Sequence, residues 1–202
     1  MSDVEHWNAR FSAPDYAFGT APNAFLAKQR PLLPKSGRAL AVADGEGRNG
    51  VWLAEQGLDV LSIDFSPTGQ AKARALAQSR GVVLTTELAD VTTWRWPVAA
   101  FDVIAVIFTQ FAKPAERSTM FARIRAALKP GGLLLLEGYT PRQLQFGTGG
   151  PKEIENLYTR GLLEQEFADL ADLRIKEYDC DLQEGSRHCG MSAVIDLVGR
   201  KR

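Results

Sequence analysis

A chain of 202 residues fits one folded domain, or one domain with an appendage, at roughly 150 residues per domain. With 45% hydrophobic and 24% charged residues, a disordered chain, a collagen-like chain and a long coiled coil are all excluded. Twenty-four Lys plus Arg balance twenty-four Asp plus Glu, so no global field draws the chain to nucleic acid or to acidic membranes.

Met1 to Arg10 is polar and acidic, without the cationic start and apolar stretch of a secretory signal. The longest apolar runs fall far below the roughly 20 residues that span a bilayer, so a cytoplasmic protein with no membrane partner is expected. Residues 1–35 hold aromatics and prolines in irregular order, among them Trp7, Phe11, Tyr16, Phe18 and Phe25. Because aromatics do best covering something apolar, this stretch reads either as a lid or as an ordinary packed helix and loop closing one side of the core.

Regular alternation begins at Arg38. A short buried strand over Ala39 to Ala43 stops at Asp44-Gly45-Glu46-Gly47, and a helix over Arg48 to Gln56 ends at Gly57. Val60 to Ile63 is the next strand, ending in Asp64, after which Ser66 offers an N-cap and Pro67 the first helical position. Val82 to Thr86 is a third strand leading to Asp90, and Phe101 to Phe108 a fourth, apolar enough to be covered on both faces. A helix over Pro114 to Leu128 is stopped by Lys129-Pro130-Gly131-Gly132, and Leu133 to Glu137 is the fifth strand. Beyond Pro141 come a glycine-rich loop, a helix near Glu153 to Leu170, and strands over Leu173 to Asp181 and Met191 to Val198, joined by the loop Leu182 to Gly190 as a terminal hairpin. The pattern predicts an α/β fold: a doubly wound, mostly parallel, seven-stranded Rossmann-like sheet with a C-terminal antiparallel hairpin. It reads as a single domain, with residues 1–35 as lid, 36–140 as cofactor-binding core and 141–202 as C-terminal helix and hairpin.

The densest chemical signal is Asp44-Gly45-Glu46-Gly47-Arg48-Asn49 between a strand and a helix. Glycines let backbone approach a ligand, and a helix start supplies free N–H groups. Asp64, nineteen positions after Gly45, stands where a carboxylate accepts the hydroxyl hydrogens of a ribose. Together they describe a site for a nucleoside-containing cofactor. Gly45, Gly47 and Gly50 also satisfy the dinucleotide spelling, which alone is a weak signal.

Gly45-Glu46-Gly47-Arg48-Asn49, Asp64 with Ser66, Asp90, Phe101-Asp102 and Leu128-Lys129-Pro130-Gly131-Gly132 resemble the class I S-adenosylmethionine-dependent methyltransferases, over about Arg38 to Tyr139. Trp7 to Phe11, Tyr16 to Asn23 and the loops Gly147 to Lys152 and Glu184 to Gly190 are similar to the small tellurite-resistance-type and thiopurine-type branch. The resemblance implies S-adenosyl-L-methionine as cofactor. It implies backbone contacts from Gly45 and Gly47 to the methionine part, Asp64 on the ribose, and Asp90 with the Val91 N–H on the adenine. Phe108, Thr109 and Gln110 would line the sulfonium, and Asp44, Glu46, Arg48, Phe65 and Ser66 complete the expected cofactor-binding set. The family's acidic residue and first glycine of this region are Ala41 and Ala43 here; Asp44 takes over the missing carboxylate or points away.

Methyl transfer from a sulfonium is an in-line displacement, for which the protein chiefly supplies alignment and exclusion of water. Tyr139 and His188 are the candidate catalytic residues, with His188 also readable as a surface or packing residue. Trp7, Arg10, Tyr16 and Phe18 are the candidate substrate and lid residues, and Arg10 either binds an acidic substrate or pairs with a nearby carboxylate. Glu137 either faces the acceptor or is an ordinary strand-end residue. Cys180 and Cys189 are too few for a disulfide framework, and no repeated Cys or His spacing marks a metal site. The expected partner is a small-molecule acceptor, with no nucleic acid, and the expected state is a monomer or weak homodimer. The competing readings are a nicotinamide-dependent oxidoreductase and a cofactor-binding protein without turnover.

Overall fold

A computed structural model describes residues 3–202. Met1 and Ser2, the first residues of the expected lid and of the leader without an export signal, lie outside the described residues. Among the described residues the strands are β1 (Arg38–Val42), β2 (Asp59–Asp64), β3 (Thr85–Leu88), β4 (Phe101–Ile107), β5 (Leu128–Tyr139), β6 (Ala171–Glu184) and β7 (His188–Arg200). They form one sheet in the order β3-β2-β1-β4-β5-β7-β6. Strands β1 to β5 pair in parallel; β7 runs antiparallel to both β5 and β6.

Period-2 alternation sends successive side chains to opposite faces, and here both faces are apolar. Leu40, Val42, Ile104, Val106, Leu134 and Leu136 meet Phe121 and Ile124 in one layer. Ala39, Val103, Ala105, Leu133 and Leu135 meet Phe25, Leu26 and Leu53 in the other. Each fully buried Leu, Ile or Phe stabilises the fold by about 1.5–3 kcal/mol relative to exposure. The helices supplying those layers are α1 (Asp3–Phe11), α2 (Ala24–Lys28), α3 (Arg48–Glu55), α4 (Pro67–Ser79), α5 (Pro114–Ala127), α6 (Gln143–Phe146) and α7 (Arg160–Glu166). Among the described residues no helix is long and apolar enough to cross a membrane.

Strand order reverses between β1 and β4, so a crevice opens beyond their carboxyl ends. Both strands end in a non-glycine residue of positive φ, Ala43 at +49° after β1 and Phe108 at +53° after β4. Such conformations cost about 1–2 kcal/mol for an L-residue. The strain stands at the rim of the crevice, where functional sites concentrate it.

Four expectations need correction. The third strand starts at Thr85, because the chain leaves α4 through Gly81 (φ +67°) with Val82 N–H bonded to the Ala77 carbonyl, and Val83 stays exposed before β2 is reached. The Lys129-Pro130-Gly131-Gly132 stretch continues β5, where Gly131 and Gly132 exchange backbone bonds with Lys201. The helix expected over Glu153 to Leu170 is a 3₁₀ turn (Ile154–Asn156) followed by α7, broken where Tyr158 N–H bonds to the Tyr139 carbonyl. The hairpin loop closes to residues 185–187, so Glu184 and His188 face each other as the last paired residues of β6 and β7.

Candidate functional site

Three cavities run along the carboxyl edge of the sheet and share walls. An outer one of about 340 Å³ is lined by Phe65, Asp90, Val91, Thr92 and Glu116. A narrow middle one of about 80 Å³ is lined by Asp44, Gly45, Arg48, Asp64, Phe65, Phe108 and His188. An inner one of about 270 Å³ is lined by Arg10, Phe108, Gln110, Tyr139, Gly150 and Asn156. Trp7 and Phe111 line all three, which makes them lobes of one groove.

The outer lobe ends at a loop folded on Asp90. Its Oδ1 accepts from the N–H and hydroxyl of Thr92 at 2.9 and 2.7 Å. Its Oδ2 and the Val91 N–H make no hydrogen bond among the described residues, so one acceptor and one donor stand side by side. In the middle lobe Asp64 ties the two switch loops together, Oδ2 accepting from Gly45 N–H at 2.9 Å and Oδ1 from Ser66 N–H at 2.8 Å. Each oxygen retains a second lone pair for a ligand hydroxyl. Burial, opposed by those bonds, raises the Asp64 pKa.

The glycines of the turn serve different ends. Gly45, at φ +57°, lies under the Phe11 ring, and a Cβ there would stand 3.0 Å from Phe11 Cζ. At Gly47 a Cβ would stand 2.5 Å from the Cβ of Ala73, so that glycine lets α3 and α4 approach. Gly50 makes room for a carboxylate. The Asp44 side chain turns inward, its Oδ2 accepting from Gly50 N–H at 3.1 Å and from the Ser62 hydroxyl at 2.9 Å. Desolvation pushes its pKa up to about 7. Asp44 thus satisfies the start of α3 from the wall of the middle lobe, the inward of the two orientations left open for its side chain.

Other expected cofactor residues are also engaged by the fold. Glu46 accepts from Ala17 N–H and from Lys72 Nζ, both at 2.7 Å, and so anchors the leader. Arg48 donates to Glu184 Oε2 at 2.7 Å and to the Phe18 carbonyl at 3.3 Å, with both charged side chains only 7% exposed. The Ser66 hydroxyl caps α4 at Gly69 N–H and donates to Asn8 Oδ1. Gln110 Nε2 donates to the carbonyls of Tyr139 and Asn156, and its Oε1 accepts from Tyr139 N–H; the amide clamps the end of β5. Tyr16 donates to the Lys72 carbonyl and packs beside Val51, Leu76 and Ala77, away from the groove.

Around the inner lobe the rings converge. Phe108 stacks on Tyr139 at 4.6 Å, and His188 lies 4.5 Å from both Phe108 and Phe18. Trp7 lies 5.4 Å from Phe11 and 6.3 Å from Phe18. Tyr139 is 1% exposed, and its hydroxyl and the His188 Nδ1 are buried without a partner. Desolvation first, then the charges of Arg48 and Arg10, holds His188 at a pKa of about 3, so its ring is neutral near pH 7. Burial first and Glu137 second raise the Tyr139 pKa, keeping the phenol protonated.

Glu137 is drawn into a network that sequence reasoning did not reach. Asn23 donates from Nδ2 to Glu137 Oε1 at 2.6 Å and to Glu184 at 3.1 Å, while its own N–H bonds to Asn49 Oδ1. Asn23 also caps α2. The local signal for the cap was the Pro22-Asn23 step before an apolar run, but nothing local pointed to Glu184 or Glu137 as its partners. Phe111 is likewise a groove residue without a distinguishing sequence signal.

The fold defines a doubly wound α/β protein with a groove at the strand switch. Residues 39–132 match the family described as a methyltransferase domain. The core is therefore similar to methyltransferases over these residues. Over 105 residues the chain is 35% identical to the glycine/sarcosine N-methyltransferase of Parasynechococcus marenigrum, covering 48% of this chain and 36% of that protein. The chain spans between about a third and a half of the length of the curated relatives it matches. Among solved structures, TehB from Haemophilus influenzae superposes with a TM-score of 0.75 at 15% identity, covering 98% of this chain and 67% of that one. The N-methyltransferase NodS from Bradyrhizobium japonicum, in complex with S-adenosyl-L-homocysteine, superposes with a TM-score of 0.70 at 13% identity, covering 98% and 97%. These likenesses accord with S-adenosylmethionine, the expected cofactor. The chemistry present fits it: a free carboxylate oxygen and N–H at Asp90 and Val91, a buried carboxylate at Asp64, and aromatic walls for a cation.

Proposed function

We propose that residues 1–202 act as one methyltransferase unit that moves the methyl group of S-adenosylmethionine to a small-molecule acceptor by in-line displacement. The observation that carries this reading is the continuity of the groove, from Asp90 past Asp64 to an aromatic-walled lobe beyond Phe108. The cofactor supplies an electrophilic methyl on a sulfonium; the chain supplies alignment and dryness. Asp64 accepts the ribose hydroxyls, and Asp90 with the Val91 N–H reads the adenine edge. Gly45 and Gly47 let backbone approach the methionine part, and Phe108 presents its ring to the sulfonium. Trp7 and Phe18 cover the reacting atoms and exclude water, with Phe11 beneath them.

Tyr139 and His188 are the residues placed to touch the acceptor. Neutral His188 accepts a hydrogen bond from the acceptor, and the Tyr139 hydroxyl orients the acceptor by donating. The opening Trp7 to Phe11 and the Glu184 to Gly190 hairpin support the tellurite-resistance-type and thiopurine-type branch. An acceptor of small size fits the inner lobe of about 270 Å³ and accords with a relative named for glycine and sarcosine. A cytoplasmic monomer or weak homodimer with no nucleic-acid partner accords with the zero net charge and the free thiols of Cys180 and Cys189.

Titration calorimetry with S-adenosylhomocysteine and with NADH tests the cofactor. Binding of the first and not the second is expected; NADH binding with no response to S-adenosylhomocysteine sinks the reading. Binding without turnover on a broad panel of acceptors supports instead a cofactor-binding protein without catalysis.

A further inference from the structure

The inner lobe carries a cation with no counterion. Arg10, in the last turn of α1, lines the lobe and lays its guanidinium over the Trp7 ring at 4.6 Å. It forms no ion pair among the described residues; Glu153, the carboxylate on the same wall, is exposed and does not pair with it. Arg187, in the β6–β7 turn, is exposed and forms no ion pair among the described residues. Burial first and the charge of Arg187 second lower the Arg10 pKa, so the two cations are near enough to repel. Both remain protonated, as arginines do in proteins.

Between Arg10 and the floor of the lobe stand polar atoms lacking partners. The Tyr139 hydroxyl is buried and free, and it lies under the Gly149-Gly150 loop, where a Cβ on Gly149 would stand 3.1 Å from it. Asn156 Oδ1, also on the wall, is buried and free. The remaining walls, Phe108, Phe111 and Pro151, are apolar. One guanidinium and a hydroxyl donate, one amide oxygen accepts, and the space between is largely apolar.

Resting on the methyltransferase reading above, we propose that the inner lobe selects an acceptor that is a small organic acid, its carboxylate held by Arg10 and its apolar body stacked along Phe108. A carboxylate there gives Arg10 the counterion it lacks and offers the bidentate geometry that a planar guanidinium matches. The Asn156 oxygen then accepts from an N–H or O–H on the same molecule, which places a second polar group of the acceptor on the side away from the carboxylate.

The test uses the full chain saturated with S-adenosylhomocysteine. Calorimetry compares benzoate, phenylacetate and hexanoate with their uncharged carboxamides, and with inorganic phosphate. At least one carboxylate is expected to bind about tenfold or more tightly than its carboxamide, the scale of a charge-assisted hydrogen bond, and phosphate is expected not to displace it. Arg10→Gln, checked for an unchanged urea midpoint, is expected to erase the preference. Equal affinity for acid and amide, no binding of any acid, or a preference that survives in Arg10→Gln overturns the proposal. Displacement by phosphate at equal concentration assigns the lobe to a bare oxyanion and overturns the organic-acid part. Failure of S-adenosylhomocysteine to bind at the outset overturns the cofactor reading instead, so the two failures are distinguishable.

Discussion

The two ends of the groove are built differently. At the nucleoside end each contact comes from a strand terminus or the loop directly after it: Gly45 past β1, Asp64 at the end of β2, Asp90 past β3. At the acceptor end, four stretches far apart in sequence meet. Arg48 from α3, Asn23 from the leader, Glu137 from β5 and Glu184 from β6 share one buried network, and His188 and Tyr139 stand beside it. A site made of strand ends is held by the sheet itself, whereas a site made of side chains from four elements depends on each partner.

This difference has a measurable size. Glu184→Ala strips the buried Arg48 of its carboxylate and Asn23 of an acceptor. A loss of about 3–5 kcal/mol of unfolding free energy is expected, the cost of leaving a buried charge unpaired. Urea titration reads it, and a loss below about 1 kcal/mol would show that the acceptor end does not depend on the network.

At the other end, Asp64→Ala is expected to weaken S-adenosylhomocysteine binding by about 1.5–3 kcal/mol, the scale of hydrogen bonds to a charged group. Calorimetry on the folded variant measures it. Unchanged affinity would mean that the ribose lies elsewhere, and the groove would have to be read in another direction.

A smaller effect separates the inward-facing Asp44 from the groove. Its carboxyl titrates at about 7 in the folded chain against 3.8 for the free group. Such a group contributes its full stability below about 3.8 and loses it as the pH rises through about 7. His188, held at about 3 against 6.5, acts in the opposite sense, its contribution lost as the pH falls through that window. In Asp44→Asn the urea midpoint should therefore decline less steeply between about pH 4 and about pH 7 than in the parent chain. Parallel profiles would show that Asp44 ionises freely. Because Asp64, Glu137 and Asp196 are raised too, the difference between the two profiles is the quantity to read.

The least perturbing measurement divides the leader. Residues 17–26 are tied down by Glu46, Arg48 and Asn49 through buried bonds. Helix α1 is held by ring contacts and by the Ser66 hydroxyl on Asn8 Oδ1. Hydrogen exchange should find the amides of residues 17–26 protected with or without S-adenosylhomocysteine, and the α1 amides protected chiefly with it. Equal protection of α1 in both states would make the whole leader static packing and leave the cover closed at all times.

Much of the core was readable because its signals are local. Alternating strands and helices, glycine turns and the aspartates at strand ends follow from side-chain periodicity, positive φ and the reach of a few residues. The mostly parallel sheet, its terminal hairpin and the expected ligand edge rested on those signals. Misplaced boundaries arose where tertiary bonds overrode local propensity, as at Tyr158, whose N–H is taken by the Tyr139 carbonyl, and at Lys129 to Gly132, whose backbone is paired by Lys201.

Side-chain direction was settled only by packing. Nothing within a few residues of Asp44 says that its carboxylate turns inward to Gly50 and Ser62, and nothing near Gln110 says that both ends of its amide close on β5. The pairings of Arg48 with Glu184 and of Asn23 with Glu137 cross 136 and 114 positions of the chain. Composition and periodicity determine that this chain makes a doubly wound sheet with a nucleoside turn, because those depend on neighbours along the backbone. Which buried polar groups satisfy one another, and hence which are left free at Tyr139, His188 and Asn156 to meet an acceptor, depends on groups brought together only when the chain is folded.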